Sequence, residues 1–130
     1  MRDPFEYIAA AVASSEPDPA AATLYLSADI DGREALFDAY ARALDFPDWF
    51  GRNWDALWDL LTDLSWLDSP PVAIIHTSLP QLPPDQLAIY VALLAEAVVT
   101  SAGTPSPIVV RFAERDRPQV AALLTERATS

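Results

Sequence analysis

Apolar and polar residues follow a helical period in the stretch 46–64, FPDWFGRNWDALWDLLTDL. With about 100° of rotation per residue, one arc of such a helix is apolar and the other is polar. The apolar arc contains Trp54, Leu57, Leu60, Leu61 and Leu64. The polar arc contains Asp55, Asp59, Thr62 and Asp63, and Trp58 lies at the seam. The pattern predicts a helix that buries Trp54 and the leucines in the core and presents the aspartates to solvent.

The residues before this helix have the composition of a turn followed by a helix start. Gly51 suits a tight turn with positive φ. Asn53 is a natural N-cap, because its side-chain oxygen can accept a hydrogen bond from a free backbone N–H of the first turn.

The rest of the chain alternates between helical and extended patterns. Helices are predicted over 4–13, 33–44, 85–101 and 116–127, and strands over 23–28, 72–76 and 108–113. Strands separated by helices favour a parallel α/β sheet. The polar, proline-bearing stretch 14–22 predicts an N-terminal extension and linker over 1–22, followed by one domain over 23–130.

The charge balance is strongly acidic. The chain of 130 residues has 19 acidic and 8 basic residues, a net charge of −11, and every basic residue is Arg. Residues 1–65 contain 13 of the acidic residues. Direct nucleic-acid binding is disfavoured, because it needs basic surface to neutralise phosphate. A cationic partner is favoured, and the alternative is that the charge only keeps the protein soluble.

Several chemistries find no support in the sequence. There is no Cys and only one His, His76, so a zinc site is not expected, and a structural role for His76 is favoured. No phosphate-binding or nucleophile motif occurs. We expect no catalytic residues, no metal and no cofactor. The apolar run 87–99 is interrupted by Glu96 and is too short to span a bilayer. We expect a cytoplasmic protein that is monomeric when free.

Asp55 and Asp59 are the central candidates for function. They lie four residues apart on one helix face, where like charges repel, so the pair is expected to meet positive charge elsewhere. A solvated helix face is the structural alternative. An enzyme that uses the pair with Mg²⁺ is disfavoured, because an acidic surface repels the phosphate that usually completes such a site.

The same stretch resembles the barstar family, small acidic proteins that inhibit the bacterial ribonuclease barnase. The matching residues are Trp49-Phe50, Gly51, Asn53, Asp55 to Asp59, and Leu61-Thr62. The resemblance implies a three-layer α/β fold with a small three-stranded parallel sheet flanked by helices, here with extra helices at both ends. It also implies a partner-binding set of Trp49, Gly51, Asn53, Asp55, Trp58, Asp59 and Thr62, to which the family's use of glutamates on a later helix adds Glu96.

Three residues depart from the family pattern. Leu64 stands where a further tryptophan is usual, Asp63 replaces a glycine, and Arg52 places a positive charge near the acidic face. Together with the acidic helix, the resemblance nevertheless implies a non-catalytic inhibitor, or immunity protein, whose acidic helix blocks the active site of a cationic ribonuclease or related toxin. The alternative is an acidic interaction module of the same fold with a non-nuclease partner.

Overall fold

A computed structural model describes residues 5–8, 22–48, 50–63, 72–104 and 107–129. Within these ranges, four parallel strands form one sheet in the order β1-β4-β3-β2. The strands are β1 (Glu6–Ile8), β2 (Ala22–Leu26), β3 (Val72–His76) and β4 (Ile108–Ala113). The helices are α1 (Arg33–Ala43), α2 (Trp54–Leu61), α3 (Pro84–Ser101) and α4 (Arg117–Thr129), with a 3₁₀ turn at Glu114–Asp116. This arrangement confirms the predicted α/β fold with a parallel sheet flanked by helices.

The N-terminal segment differs from the prediction. Glu6–Ile8 is a strand parallel to β4 rather than part of a helix, so the described sheet has four strands instead of three. Phe5 and Tyr7 lie against the ring of Phe112, with centroid distances of 4.9 and 6.4 Å. A short isolated helix is marginal in water, and pairing with β4 is the more favourable state for this segment. The proposed boundary between 1–22 and 23–130 stays a prediction, although β1 belongs to the same sheet as the rest.

Alternation along the strands places one face of the sheet in the main core. Leu24 and Leu26 of β2 share this core with residues of β3 and β4 that are almost fully buried: Val72, Ile74, Ile108, Val110 and Phe112. His76 points to the same side and is also fully buried. The intervening Ala73 and Ile75 form a separate small cluster with Ile8.

The helices begin and end close to the predicted residues. α1 and α3 lie within a residue of the predicted bounds, and α4 begins one residue later because a 3₁₀ turn precedes it. α2 ends at Leu61, where Thr62 takes the C-cap position. Residues 64–71 lie outside the described ranges, so the predicted place of Leu64 on the apolar arc stays a prediction.

Candidate partner-binding groove

The connection from α1 to α2 is anchored by aromatic packing. Phe46 and Phe50 are buried, with ring centroids 5.0 Å apart. Phe37 of α1 contacts Phe50 at 5.7 Å and Trp54 at 5.2 Å, in edge-to-face geometry. Such pairs stabilise beyond the area they bury. The first turn of α2 is therefore held in a fixed position relative to α1. Trp49, one of the predicted contact residues, lies outside the described residues.

Two residues of this connection, Asp45 and Arg52, have a left-handed backbone, whereas Gly51, where a positive φ was predicted, does not. Arg52 has φ of 54°, whereas a Cβ added to Gly51 would meet its nearest atoms at an ordinary 3.5 Å. A non-glycine residue with positive φ is uncommon and needs support from its surroundings. The Arg52 side chain supplies that support. It donates to Glu34 Oε2 at 2.9 Å and to Asp38 Oδ1 at 2.7 Å, both on α1. The positive charge of Arg52 is therefore paired with two carboxylates of α1.

The two ends of α2 are closed by side chains from the predicted contact set. Asn53 Oδ1 accepts from the backbone N–H of Ala56 at 2.7 Å, which confirms the predicted N-cap. The Thr62 hydroxyl donates to the carbonyl of Trp58 at 2.9 Å. The Asn53 contact satisfies a backbone N–H that the helix start leaves free. The Trp58 carbonyl also accepts from the backbone N–H of Thr62, and the Thr62 hydroxyl lies 3.3 Å from the carbonyl of Asp59 in the last turn. Asn53 and Thr62 thus have structural roles, whatever part they take in binding.

Between α2 and α3 lies a groove of about 510 Å³, here called the α2–α3 groove. The residues that line it are Trp54, Asp55, Trp58 and Asp59 from α2, and Ile89, Ala92, Leu93 and Glu96 from α3. Asp55, Asp59 and Glu96 are exposed. Among the described residues that line the groove, three are acidic and none is basic. The arrangement combines an apolar floor with a rim of negative charge.

Trp54 belongs to this groove, which corrects the prediction that it lies in the core. It is only half-buried, and it packs on the core with its ring 6.0 Å from that of Tyr90. Its indole N–H donates to Gln86 Oε1 of α3 at 2.9 Å. The leucines that share its arc, Leu57, Leu60 and Leu61, are buried as predicted.

Trp58 lies at the boundary of the α2 faces, as its seam position predicted. It is half-buried and lines the α2–α3 groove next to both aspartates. Its indole N–H is buried and finds no acceptor among the residues that the structure describes. A buried donor without a partner costs about 1–3 kcal/mol. Among the described residues, packing rather than a hydrogen bond of the indole N–H therefore sets the position of the Trp58 ring.

The sequence did not single out Ile89, Ala92 and Leu93. α3 is apolar on most sides, so its periodicity alone does not separate a groove face from a core face. The spacing of these three residues relative to Glu96 could have indicated that they share its helix face. Residues 89, 92, 93 and 96 recur at the offsets that place side chains on one helix face. A search for apolar neighbours of the predicted acidic contact would have found them.

In the described part of the chain, no group of three or more His, Cys, Asp or Glu side chains is arranged to hold a metal ion. None of its helices is both long and apolar enough to cross a membrane.

A family of known proteins matches most of this chain. The family described as Barstar (barnase inhibitor) matches residues 21–113. A protein of Bacillus subtilis (strain 168) named Putative ribonuclease inhibitor YrdF is 49% identical over 51 residues, which are 35% of this chain and 54% of that protein. The chain thus spans about half the length of this curated relative. No solved structure matches the chain significantly. Since the family match covers most of the 130 residues, including β2 to β4 and the whole α2–α3 groove, the chain belongs to the barstar family.

Proposed function

We propose that this protein is a non-catalytic inhibitor that binds a cationic ribonuclease, or a related ribonuclease-like toxin, and blocks its active site with α2. The observation that carries the proposal is the α2–α3 groove. There Asp55, Asp59 and Glu96 converge from two helices around an apolar floor that contains Trp58.

The physical basis is mimicry of the ribonuclease substrate. An enzyme that cleaves RNA needs positive side chains to hold phosphate groups. Carboxylates on a rigid helix can form charge-assisted hydrogen bonds with the same side chains. The side chain of Trp58 adds apolar area beside the charges, and tryptophan is enriched among residues that dominate binding energy.

The position of Arg52 supports the proposal. A cation on the acidic face would repel a cationic partner, but this guanidinium is bonded to Glu34 and Asp38 on α1. The net charge of −11 would also speed encounter with a cationic protein by electrostatic steering.

The comparisons support the same role. The family description names inhibition of barnase, and the relative from Bacillus subtilis carries the name of a ribonuclease inhibitor. An inhibitor of this type would protect the cell that produces the nuclease, as an immunity protein or antitoxin does.

Titration of barnase and of the source organism's own ribonucleases tests the proposal. The purified protein should abolish RNA cleavage by at least one of them at a one-to-one ratio, and should itself leave RNA intact. Asp59→Asn serves as the matched variant, because it removes one negative charge and keeps the size of the side chain. Inhibition that is equally strong with Asp59→Asn would contradict the role of the groove. Failure against the whole panel would favour an interaction module with a non-nuclease partner.

A further inference from the structure

A chain of buried hydrogen bonds lies beneath the α2–α3 groove. The hydroxyls of Tyr40 and Tyr90 are 2.7 Å apart, and the Tyr90 hydroxyl is 2.7 Å from His76 Nε2. His76 Nδ1 is 3.0 Å from the carbonyl oxygen of Arg111. All three side chains are fully buried. The chain joins α1, α3, β3 and β4 through polar atoms that are shielded from water.

The geometry fixes the direction of every hydrogen bond in this chain. A carbonyl oxygen can only accept, so His76 Nδ1 carries the proton and donates to Arg111. In the neutral ring Nε2 must then accept, so the Tyr90 hydroxyl donates to it. The Tyr90 oxygen in turn accepts from the Tyr40 hydroxyl. One proton arrangement satisfies all four groups, and it requires a neutral imidazole.

Protonation of His76 disrupts this arrangement. Nε2 becomes a donor, so Tyr90 must turn its hydroxyl proton toward Tyr40. The Tyr90 oxygen no longer accepts from Tyr40, and the Tyr40 hydroxyl proton has no other acceptor among the described residues. The groups that face the imidazole offer no compensating negative charge: Tyr90 from α3, the Phe112 ring and the Arg111 carbonyl from β4, and Leu26 beside it on β2. Accordingly, burial lowers the pKa of His76 to about 4.

Tyr90 also connects this chain to the groove. Its ring lies 6.0 Å from that of Trp54, which lines the groove. Trp54 is hydrogen-bonded to Gln86 on the same helix as Tyr90. Ile89 precedes Tyr90 in sequence and belongs to the groove wall. A movement of Tyr90 away from His76 would therefore be transmitted to both Trp54 and the α3 wall.

We propose that Tyr40, Tyr90 and His76 form a proton-sensitive lock that holds the α3 wall of the groove in its binding position only while His76 is neutral. The lock regulates the site of the proposed function and rests on that function for its effect on a partner. The structural step can be measured in the free protein. A failure of the lock is therefore distinguishable from a failure of ribonuclease inhibition.

The test is a pH titration of the ¹⁵N-labelled free protein by NMR, from neutral pH down through the His76 pKa of about 4. The His76 ring nitrogens report protonation, and the Trp54 indole N–H reports the groove. We expect the chemical shift of the Trp54 indole N–H to change with pH in a step whose midpoint equals that of His76. Asp55, Asp59 and Glu96 also titrate in acid, so a variant without the lock is needed to isolate that step.

The variant is Tyr40→Phe/His76→Phe/Tyr90→Phe, which removes every polar side-chain group of the lock and keeps a ring at each position. Replacing all partners by apolar groups of similar shape can be nearly neutral for stability. The Trp54 step assigned to His76 should disappear, and the part caused by the groove carboxylates should remain. Identical Trp54 titration curves in the two proteins would overturn the proposal.

Tyr90→Phe provides a second comparison that does not depend on the triple variant folding. It removes the hydroxyl that donates to neutral Nε2 and keeps the ring against Trp54. Loss of a hydrogen bond to the neutral form should raise the His76 midpoint. The Trp54 step at the His76 midpoint should disappear, because the hydroxyl that links His76 to the groove is gone. A Trp54 step that persists at the shifted His76 midpoint would show that the Tyr90 hydroxyl does not couple the two sites.

Discussion

The indole N–H of Trp54 donates to the side-chain oxygen of Gln86 at 2.9 Å, and this hydrogen bond joins α2 to α3 at the α2–α3 groove. The residue was expected to be a core anchor, and it does pack on the core. Its indole N–H, however, forms a hydrogen bond between the two helices that carry the carboxylates. The relative position of Asp55 and Asp59 on one wall and Glu96 on the other therefore depends on a side chain that bears no charge.

A double-mutant cycle measures this connection. Trp54→Phe and Gln86→Leu each leave one half-buried polar group without its partner, whereas the double variant leaves none. We expect a coupling of about 0.5–1.5 kcal/mol in the free energy of unfolding, measured by urea denaturation. Additive effects of the two single changes would show that the hydrogen bond does not stabilise the protein.

Asp59→Ala should weaken binding to a cationic ribonuclease more than any other single change, with Asp55→Ala close behind. Truncation of one partner of a buried charge pair costs about 2–5 kcal/mol of binding free energy, much of it from the charge left unpaired. Calorimetric titration would measure the loss. Asp45→Asn is a suitable control, because Asp45 is exposed, does not line the groove, and has a positive φ of 53° that asparagine tolerates.

The same two substitutions should separate in their effects on folding. Asp59→Ala removes like-charge repulsion with Asp55, so the free energy of unfolding should change by less than about 0.5 kcal/mol. Asp55 is in the first turn of α2, where a negative charge is favoured by about 0.3–1 kcal/mol. Asp55→Ala removes this favourable interaction, which offsets the free energy gained when the repulsion with Asp59 is relieved. A large drop in the melting temperature of Asp59→Ala would show instead that Asp59 is structural.

Arg52→Gln should speed association with a cationic partner by a few-fold at low salt. The change removes the positive charge nearest to the start of α2 and releases Glu34 and Asp38 from their ion pairs. Stopped-flow fluorescence would measure the association rate constant, with Arg42→Gln on α1 as the charge-matched control. Slower association with Arg52→Gln would indicate that Arg52 mainly positions the α1–α2 connection for binding.

The sequence predicted the features that are local to α2 better than those that depend on contacts with other elements. Asn53, the buried leucines and the exposed aspartates of α2 follow from local capping rules and helical period, which act within one element. β1 was missed, because three residues gain strand structure only through pairing with β4. The positive φ at Arg52 was assigned to Gly51, since glycine is the usual residue there and the ion pairs from α1 are not local. The apolar wall of α3 depends on how two helices pack, which periodicity does not reveal.

Acid should destabilise the protein through His76. The ordinary pKa of 6.5 applies to the unfolded chain, whereas the folded value is about 4. Between these values the unfolded state binds the proton and the folded state does not. The stabilisation is therefore fully present above pH 6.5 and is lost as the pH falls toward 4, by about 3 kcal/mol. Denaturation across this window should show a shallower decline for the Tyr40→Phe/His76→Phe/Tyr90→Phe variant. Parallel curves would mean that other groups cause the acid sensitivity.

Trp58→Phe should affect stability and binding differently. The change removes packing area, but it also removes the buried indole N–H that has no acceptor among the described residues, a relief of about 1–3 kcal/mol. The two terms oppose each other, so the melting temperature should change little. Complex formation with a ribonuclease should weaken, because the groove loses the larger aromatic surface between Asp55 and Asp59.

Salt separates the contribution of Trp58 from that of the carboxylates. The screening length falls to about 3 Å at 1 M salt, so the association rate should drop steeply for wild type and for Trp58→Phe alike. The dissociation rate should be raised by Trp58→Phe at every salt concentration, since the lost contact is apolar. Surface plasmon resonance with barnase, or with whichever ribonuclease the protein inhibits, would give both rates. If Trp58→Phe binds like wild type and association is insensitive to salt, α2 is not the binding surface, and the proposed mode of inhibition is wrong.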